Sequence, residues 1–424
     1  MASVKVMVKK NVWQRNALAL YVLQIANYII PLLTLPFLVR TLGAEAYGWL
    51  AFSAAVNFYF VLAVDAGMNT HGARLLAQLD PVQDPLCAHK SGILFANITA
   101  LKMLCALVCC IFLMTLVLVT PAWRAQSALF AWSFLPVLGS LTFPTWMFQG
   151  MQVMHLTMVL GVLGRLLMTG ALFLWVSGPE DLLWAAAFQG GATLMSGVLA
   201  LMVLARMPGL RWCLPTWRGV QDVAMSSREF AVSEFSLTAV ANSTVFFVGL
   251  VESKEVVGVF AAIEKALRAA ASSFSPLIQA MQPRIVQAWI GCQEGVPRVL
   301  LPWSRRVALL ALVCGLTGIM VTPWALHGLF GQAIEGHEAW GQMLCVWVPF
   351  SVTNMLLAQW WWLGSGRGRG YARRVLPGVI LQAGLFFTLT SLEGVSWGIG
   401  CWVLGELLMT GLLLFRSGWL NDAF

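Results

Sequence analysis

Glu264, Arg268, Ser272 and Ser275 stand at i, i+4, i+8 and i+11, the spacing of one stripe along a helix. Lys265 sits one residue round from Glu264, and the stretch that carries them, 256–281, is otherwise apolar. Two chemistries fit this pattern. In the first, Glu264 and Arg268 neutralise each other one turn apart. In the second, Glu264 orients Arg268, and Arg268 with Lys265 presents positive charge to an anion, since the planar guanidinium fork can donate two parallel hydrogen bonds.

The elements that must position this stripe follow from composition. The chain has 424 residues, of which 59% are hydrophobic and 10% charged, with a mean hydropathy of +0.79. A soluble domain carries about 25% charged residues, so this chain is a polytopic membrane protein. A spanning helix needs about 20 apolar residues. Twelve windows qualify, at 16–39, 48–67, 91–119, 127–149, 156–177, 182–205, 229–250, 256–281, 303–327, 340–363, 375–391 and 395–415. The expected class is all-α integral membrane, because long continuous runs exclude the alternating strands of a barrel. The basic Met1–Arg15 leads into a long apolar run containing Pro31 and Pro36, which reads as a retained first helix rather than a cleaved signal. The nine cysteines show no metal spacing, so neither a metal nor a cofactor is expected.

Loop charge sets the topology. Nineteen of the 26 Lys and Arg residues fall on the side of the N-terminus, against Arg40, Arg124 and Lys254 on the other. Both termini are therefore expected in the cytoplasm. The net charge of +8 is topology rather than a nucleic-acid signal. A shift of 210 positions lays Gln24 on Glu234, Gly48 on Gly258 and Arg74 on Arg284. It divides the chain into two six-helix lobes, 1–205 and 229–424, joined by a cytoplasmic linker at 206–228. Parallel repeats of this kind in transporters hold substrate between the halves and work by rocking.

Other costly charges lie inside the windows. Asp65, Lys102, Arg165, Glu234 and Glu406 join the stripe residues, and each costs about 2.5–3.5 kcal/mol at a bilayer centre. Arg165 lies about 15 Å into its helix and either pairs with another helix, Asp65 for one, or lines a cavity. Lys102 has similar depth, but a flexible lysine can snorkel. Glu406 is isolated, fitting either a proton or sodium site or a partner on a neighbouring helix. Helix one carries Gln24, Asn27 and Tyr28, helix two carries Ser53, Asn57 and Asp65, and helix seven carries Glu234, Thr238 and Asn242. Such hydroxyls and amides suit sugar hydroxyls, or equally bonds between helices. Arg74 and its repeat mate Arg284 are candidates for gate contacts with Asp65 or Glu234. The stretch FPTWMFQG (143–150) closes helix four: Pro144 bends it, Trp146 and Phe148 suit the interfacial belt, and Gln149–Gly150 permits a turn. A sharper reading has this corner touch a lipid head or a sugar.

Several segments, in order, carry a family resemblance: ANYIIPLLTLPFLVRTLGAEAYG (26–48), VDAGMNTHGARLLA (64–77), FPTWMFQGMQ (143–152), VVGVFAAIEKALRAAASSFSPLIQAMQPRI (256–285) and VPFSVTNMLLAQWWWLGSG (348–366). Together they resemble the polysaccharide transporter family, the O-antigen and repeat-unit flippases of the multidrug/oligosaccharidyl-lipid/polysaccharide flippase superfamily. The SGRGRGYARR loop (365–374) is more arginine-rich than that pattern. The resemblance implies a V-shaped, two-lobed transporter of the bacterial inner membrane, without covalent chemistry. Its cargo would be an oligosaccharide on undecaprenyl diphosphate, and a polysaccharide polymerase and a chain-length regulator would be pathway partners. Arg268, Lys265, Arg165, Lys102, Gln24, Asn27, Tyr28, Asn57 and Asn242 are then candidates for substrate contact, and Glu264, Asp65, Arg74, Glu234 and Arg284 for support or gating. The alternative is a cation-coupled exporter of small drugs. The deep charges, four basic and four acidic with Asp65 and Glu234 near the cytoplasmic edge, leave a neutral-to-basic centre that favours an anionic cargo. A glycan polymerase or glycosyltransferase would need a larger loop and paired carboxylates.

Overall fold

The computed structural model describes residues 2–79, 87–207, 212–291 and 296–415. Side chains are described from Ile30 onward with a few exceptions, so those of Gln24, Asn27, Tyr28, Glu234 and Arg284 lie outside the described set. Among the described residues, all regular structure is helical. Among the same residues, nine stretches are long and apolar enough to cross a membrane. They turn large apolar side chains outward: Leu107, Val108 and Met114 of Cys87–Val119 are 58, 62 and 65% exposed. Such a surface belongs in lipid rather than water.

The first stretch, Ile30–Ala77, runs 48 residues. It turns at Gly43, where φ 80° and ψ 167° leave the helix, and again at Ala66 and Gly67, both at positive φ. It thus has room for two of the expected spans. Windows 229–250 and 256–281 are helical too, but each is broken: Trp217–Ala241 from Thr244–Val251, and Lys254–Ser272 from Ser275–Gly291. These breaks and the charges on them keep both from forming one uninterrupted apolar span, and the count of twelve stays an expectation.

The chain forms two compact units, Met1–Thr34 with Leu50–Ala239, and Leu35–Trp49 with Val240–Phe424. In the first, Met154–Trp175 and Leu182–Ala205 pack through small residues: a Cβ on Gly164 would stand 2.2 Å from the Ser196 hydroxyl. Close approach of this kind replaces the hydrophobic drive that lipid cannot supply. The FPTWMFQG corner belongs to the same unit. Its helix stops at Thr142 and restarts at Thr145, with Pro144 between. Trp146 and Phe148 do not reach an interface. They are 2 and 0% exposed, packed in a core with Leu76, Phe95 and Ile98, and Trp146 lies against Gly72. Their aromatic bulk fills the space between helices, which corrects the belt expectation.

In the second unit, Ser253 caps Lys254–Ser272, its side chain accepting from Val256 N–H, with Glu255 favourably placed in the first turn. This helix meets the segment after the Gly43 turn backbone to backbone. A Cβ on Gly48 would fall 1.7 Å from the Lys254 carbonyl oxygen, and one on Gly258 would fall 1.9 Å from that of Ala44. The shift of 210 carries Ala44 onto Lys254 and Gly48 onto Gly258. Reciprocal contact is what two copies related by a local two-fold produce.

Candidate functional site

A cavity of about 290 Å³ opens within the second unit. The break at Asn242–Ser243 lets Ser243 and Thr244 edge it, and Arg268 and Ser272 enter from Lys254–Ser272. Trp347 and Ser351 come from Glu338–Leu356, Gln382 and Phe386 from Gly368–Glu393, and Trp402 and Glu406 from Val395–Phe415.

Glu264 is the anchor beneath it. Its Oε1 accepts from the Thr244 hydroxyl at 2.6 Å and from Arg268 Nε at 2.9 Å and Nη2 at 2.8 Å. Arg268 Nη2 also donates to the carbonyl of Ala241, the last residue of Trp217–Ala241, at 3.0 Å. The guanidinium lies 5.2 Å from the Trp402 ring centre and 6.0 Å from that of Trp347, close enough for cation–π attraction. Across the cavity, Glu406 Oε2 accepts from Asn354 Nδ2 at 2.5 Å and Oε1 from Trp347 Nε1 at 3.4 Å. Asn354 Oδ1 in turn accepts from the Thr410 hydroxyl. Gln382 is held by donating to the Trp402 carbonyl. The site thus offers one guanidinium, one carboxylate, an amide, hydroxyls and two indole faces, the groups that bind a polyhydroxylated ligand.

The structure joins some expected residues and separates others. Arg268 and Ser272 line the cavity, Glu264 holds Arg268, and Asn242 is exposed at the helix break beside it. Ser275 is buried in the next helix and accepts from Gln279 Nε2. Lys265 is exposed and does not line the cavity. Of the two cations expected together, Arg268 alone lines this cavity among the described residues. Arg268 itself is turned onto Glu264. One basic and one acidic side chain, Arg268 and Glu406, line this cavity.

The remaining candidates stand in the first unit. Lys102 is 2% exposed and donates to Asp65 Oδ1 at 2.6 Å, Asn69 Oδ1 at 3.3 Å and the Ser140 carbonyl at 3.4 Å. Three acceptors saturate its three N–H bonds, so it neither snorkels nor faces a cargo. Asp65 is thereby taken by Lys102 rather than Arg74, which is exposed. Asn57 is buried and donates to the Ser53 carbonyl, while Ser53 bonds Ser133. This part of the helix-two stripe makes bonds within and between helices. Arg165 is half-buried on Met154–Trp175. Sequence reasoning missed Thr244, Trp347, Asn354, Gln382 and Trp402. Asn354 and Trp347 carried one signal, polar or indole groups one to two turns apart in the window that ends at WWW.

Comparison with known proteins agrees with this architecture. A family model described as polysaccharide biosynthesis protein matches residues 13–289. A protein of Escherichia coli (strain K12), provisionally named for O-antigen transport, is 28% identical over 273 residues, spanning 64% of this chain and 64% of that relative. A protein of Shigella dysenteriae with the same name is 22% identical over 95% of this chain and 99% of its own. Among solved structures, an inward-facing multidrug resistance MATE family transporter of the MOP superfamily covers 93% of this chain and 98% of its own at a TM-score of 0.68 and 13% identity. The MATE multidrug transporter DinF-BH, solved as a complex, covers 96% of this chain and 95% of its own at 0.55 and 15%. The chain has the helical transporter fold of these structures, and it belongs to the polysaccharide biosynthesis protein family.

Proposed function

We propose that this chain is a flippase. It moves an undecaprenyl-diphosphate-linked oligosaccharide, an O-antigen or similar repeat unit, from the cytoplasmic to the periplasmic leaflet of the bacterial inner membrane. It does so by alternating access and without covalent chemistry. The names of the two bacterial relatives and the family match support the cargo class. The observation that carries the reading is the second-unit cavity, where hydroxyls and amides alternate with indole faces around a pinned arginine. A polymerase and a chain-length regulator would receive the product.

One observation favours a second reading, a cation-coupled small-molecule exporter: Arg268 is paired with Glu264, and Glu406 adds a carboxylate to the cavity lining. Lipid analysis separates the two. Depletion of the protein is expected to leave complete undecaprenyl-diphosphate-linked units confined to the cytoplasmic leaflet, as read by an impermeant glycan-modifying reagent. Normal arrival of complete units at the periplasmic leaflet, in cells lacking any other flippase, leaves efflux as the function.

A further inference from the structure

Arg268 is engaged by Glu264, so the diphosphate of the proposed cargo needs positive charge elsewhere. The second unit holds such a place. A furrow of about 890 Å³ runs between Gly368–Glu393 and Val395–Phe415. It extends from Arg374 to Leu389 on one helix and from Ser396 to Leu412 on the other. Fifteen residues at 1.5 Å each give about 22 Å, most of the roughly 30 Å hydrocarbon thickness. Gly378, Gly400 and Gly405 leave its track open. Leu381, Leu404 and Leu408, 64, 59 and 72% exposed, line it and stand out toward lipid.

Only one end is charged. Arg374 lies at the mouth with its guanidinium 4.6 Å from the Trp362 ring centre, donating to the Gly370 carbonyl at 3.1 Å. No carboxylate among the described residues pairs with it. Arg367 and Arg373 are exposed nearby, and between Gly364 and Leu392 the sequence has no acidic residue. Loop charge assigns this end to the cytoplasm. A stacked guanidinium that meets a neutral carbonyl through Nη1 and no carboxylate among the described residues suits phosphate oxygens, and several uncompensated arginines suit a diphosphate better than the single charge of a phosphodiester. Gln382 lines both the furrow and the cavity, about 12 Å along the helix from Arg374.

We propose that this furrow holds the isoprenoid chain of the polyprenyl diphosphate carrier, with the diphosphate at Arg374. The proposal rests on the flippase reading. It places the lipid end of the cargo on the outer side of the same helix that presents Gln382 to the cavity.

Native mass spectrometry on the purified full chain tests it, with undecaprenyl diphosphate, undecaprenol and phosphatidylglycerol as separate probes. Arg374→Gln removes the charge. Gly400→Leu fills the furrow where a Cβ has room, its nearest neighbour being Met343 Cε at 3.6 Å. Each variant is expected to retain undecaprenyl diphosphate at least tenfold less than wild type, with phosphatidylglycerol unchanged and Arg374→Lys restoring part of the loss. Wild-type retention by both variants overturns the proposal, as does equal retention of phosphatidylglycerol or of undecaprenol. Leaflet transfer of the glycan by the wild-type chain is measured in parallel. A wild type that transfers nothing overturns the flippase reading. A wild type that transfers, beside variants that bind and transfer equally well, overturns the furrow alone.

Discussion

Among the described residues each unit holds an acid–base pair with one buried partner, and the two pairs differ in what they leave open. Lys102 in the first unit meets Asp65, Asn69 and Ser140, and its side chain is 3% exposed. The pair ties together the end of the helix at Asp65, the start of Met68–Ala77, Cys87–Val119 and Leu135–Thr142. The Lys102 ammonium has no N–H left to offer a ligand. Arg268 in the second unit keeps 30% of its side chain exposed and looks into a cavity, although Glu264 holds its Nε edge. A charge deep in a membrane helix is therefore not by itself a binding group. Saturation of its donors separates a structural tie from a ligand-facing one, and a buried tie of the first kind is destabilising chiefly when only one partner is removed.

The largest effect should come from breaking the saturated pair. Lys102→Met leaves Asp65 without its cation and is expected to cost about 3 kcal/mol, read as a lower melting temperature in detergent. Next comes the glycine crossing of the second unit, which seats the helix that carries Glu264 and Arg268. Gly48→Val and Gly258→Val each force backbone apart and should cost about 2 kcal/mol. Because the contact is reciprocal, the two losses should be similar in thermal melts. Unequal losses would argue against the local two-fold. Arg268→Ala should reduce glycan transfer at least tenfold, about 1.4 kcal/mol, with a smaller fall in melting temperature than Lys102→Met. Lys265→Ala should change transfer less than twofold, as its side chain is exposed and does not line the cavity. A large effect there would restore a joint cradle with Arg268.

Much of this was legible in the sequence, for reasons that also explain what was not. Composition gave the membrane class because water-facing surface needs charge. The i, i+4 spacing gave the Glu264–Arg268 pair, since both ends lie on one helix. The repeat register made Gly48 and Gly258 equivalent positions, while their close contact came only from the structure. Lys102 was misread because its partner stands 37 residues away, whereas Arg74 is nearer to Asp65 along the chain. Trp146 and Phe148 were misplaced because lipid-facing and core-facing surfaces have the same apolar composition in a membrane protein. Asn354, Trp347, Gln382 and Trp402 belong to three different helices. Only packing shows that they surround Glu406 and Arg268.

The central claim is that the second-unit pair serves transport and the first-unit pair serves the fold. The most direct measurement compares two charge-neutral doubles, Lys102→Met with Asp65→Asn and Arg268→Gln with Glu264→Gln, in one leaflet-transfer assay beside thermal melts. The account predicts that both doubles fold, that the first keeps most of its transfer, and that the second loses at least tenfold. Full transfer by the second double, or its loss in a well-folded first double, would contradict it.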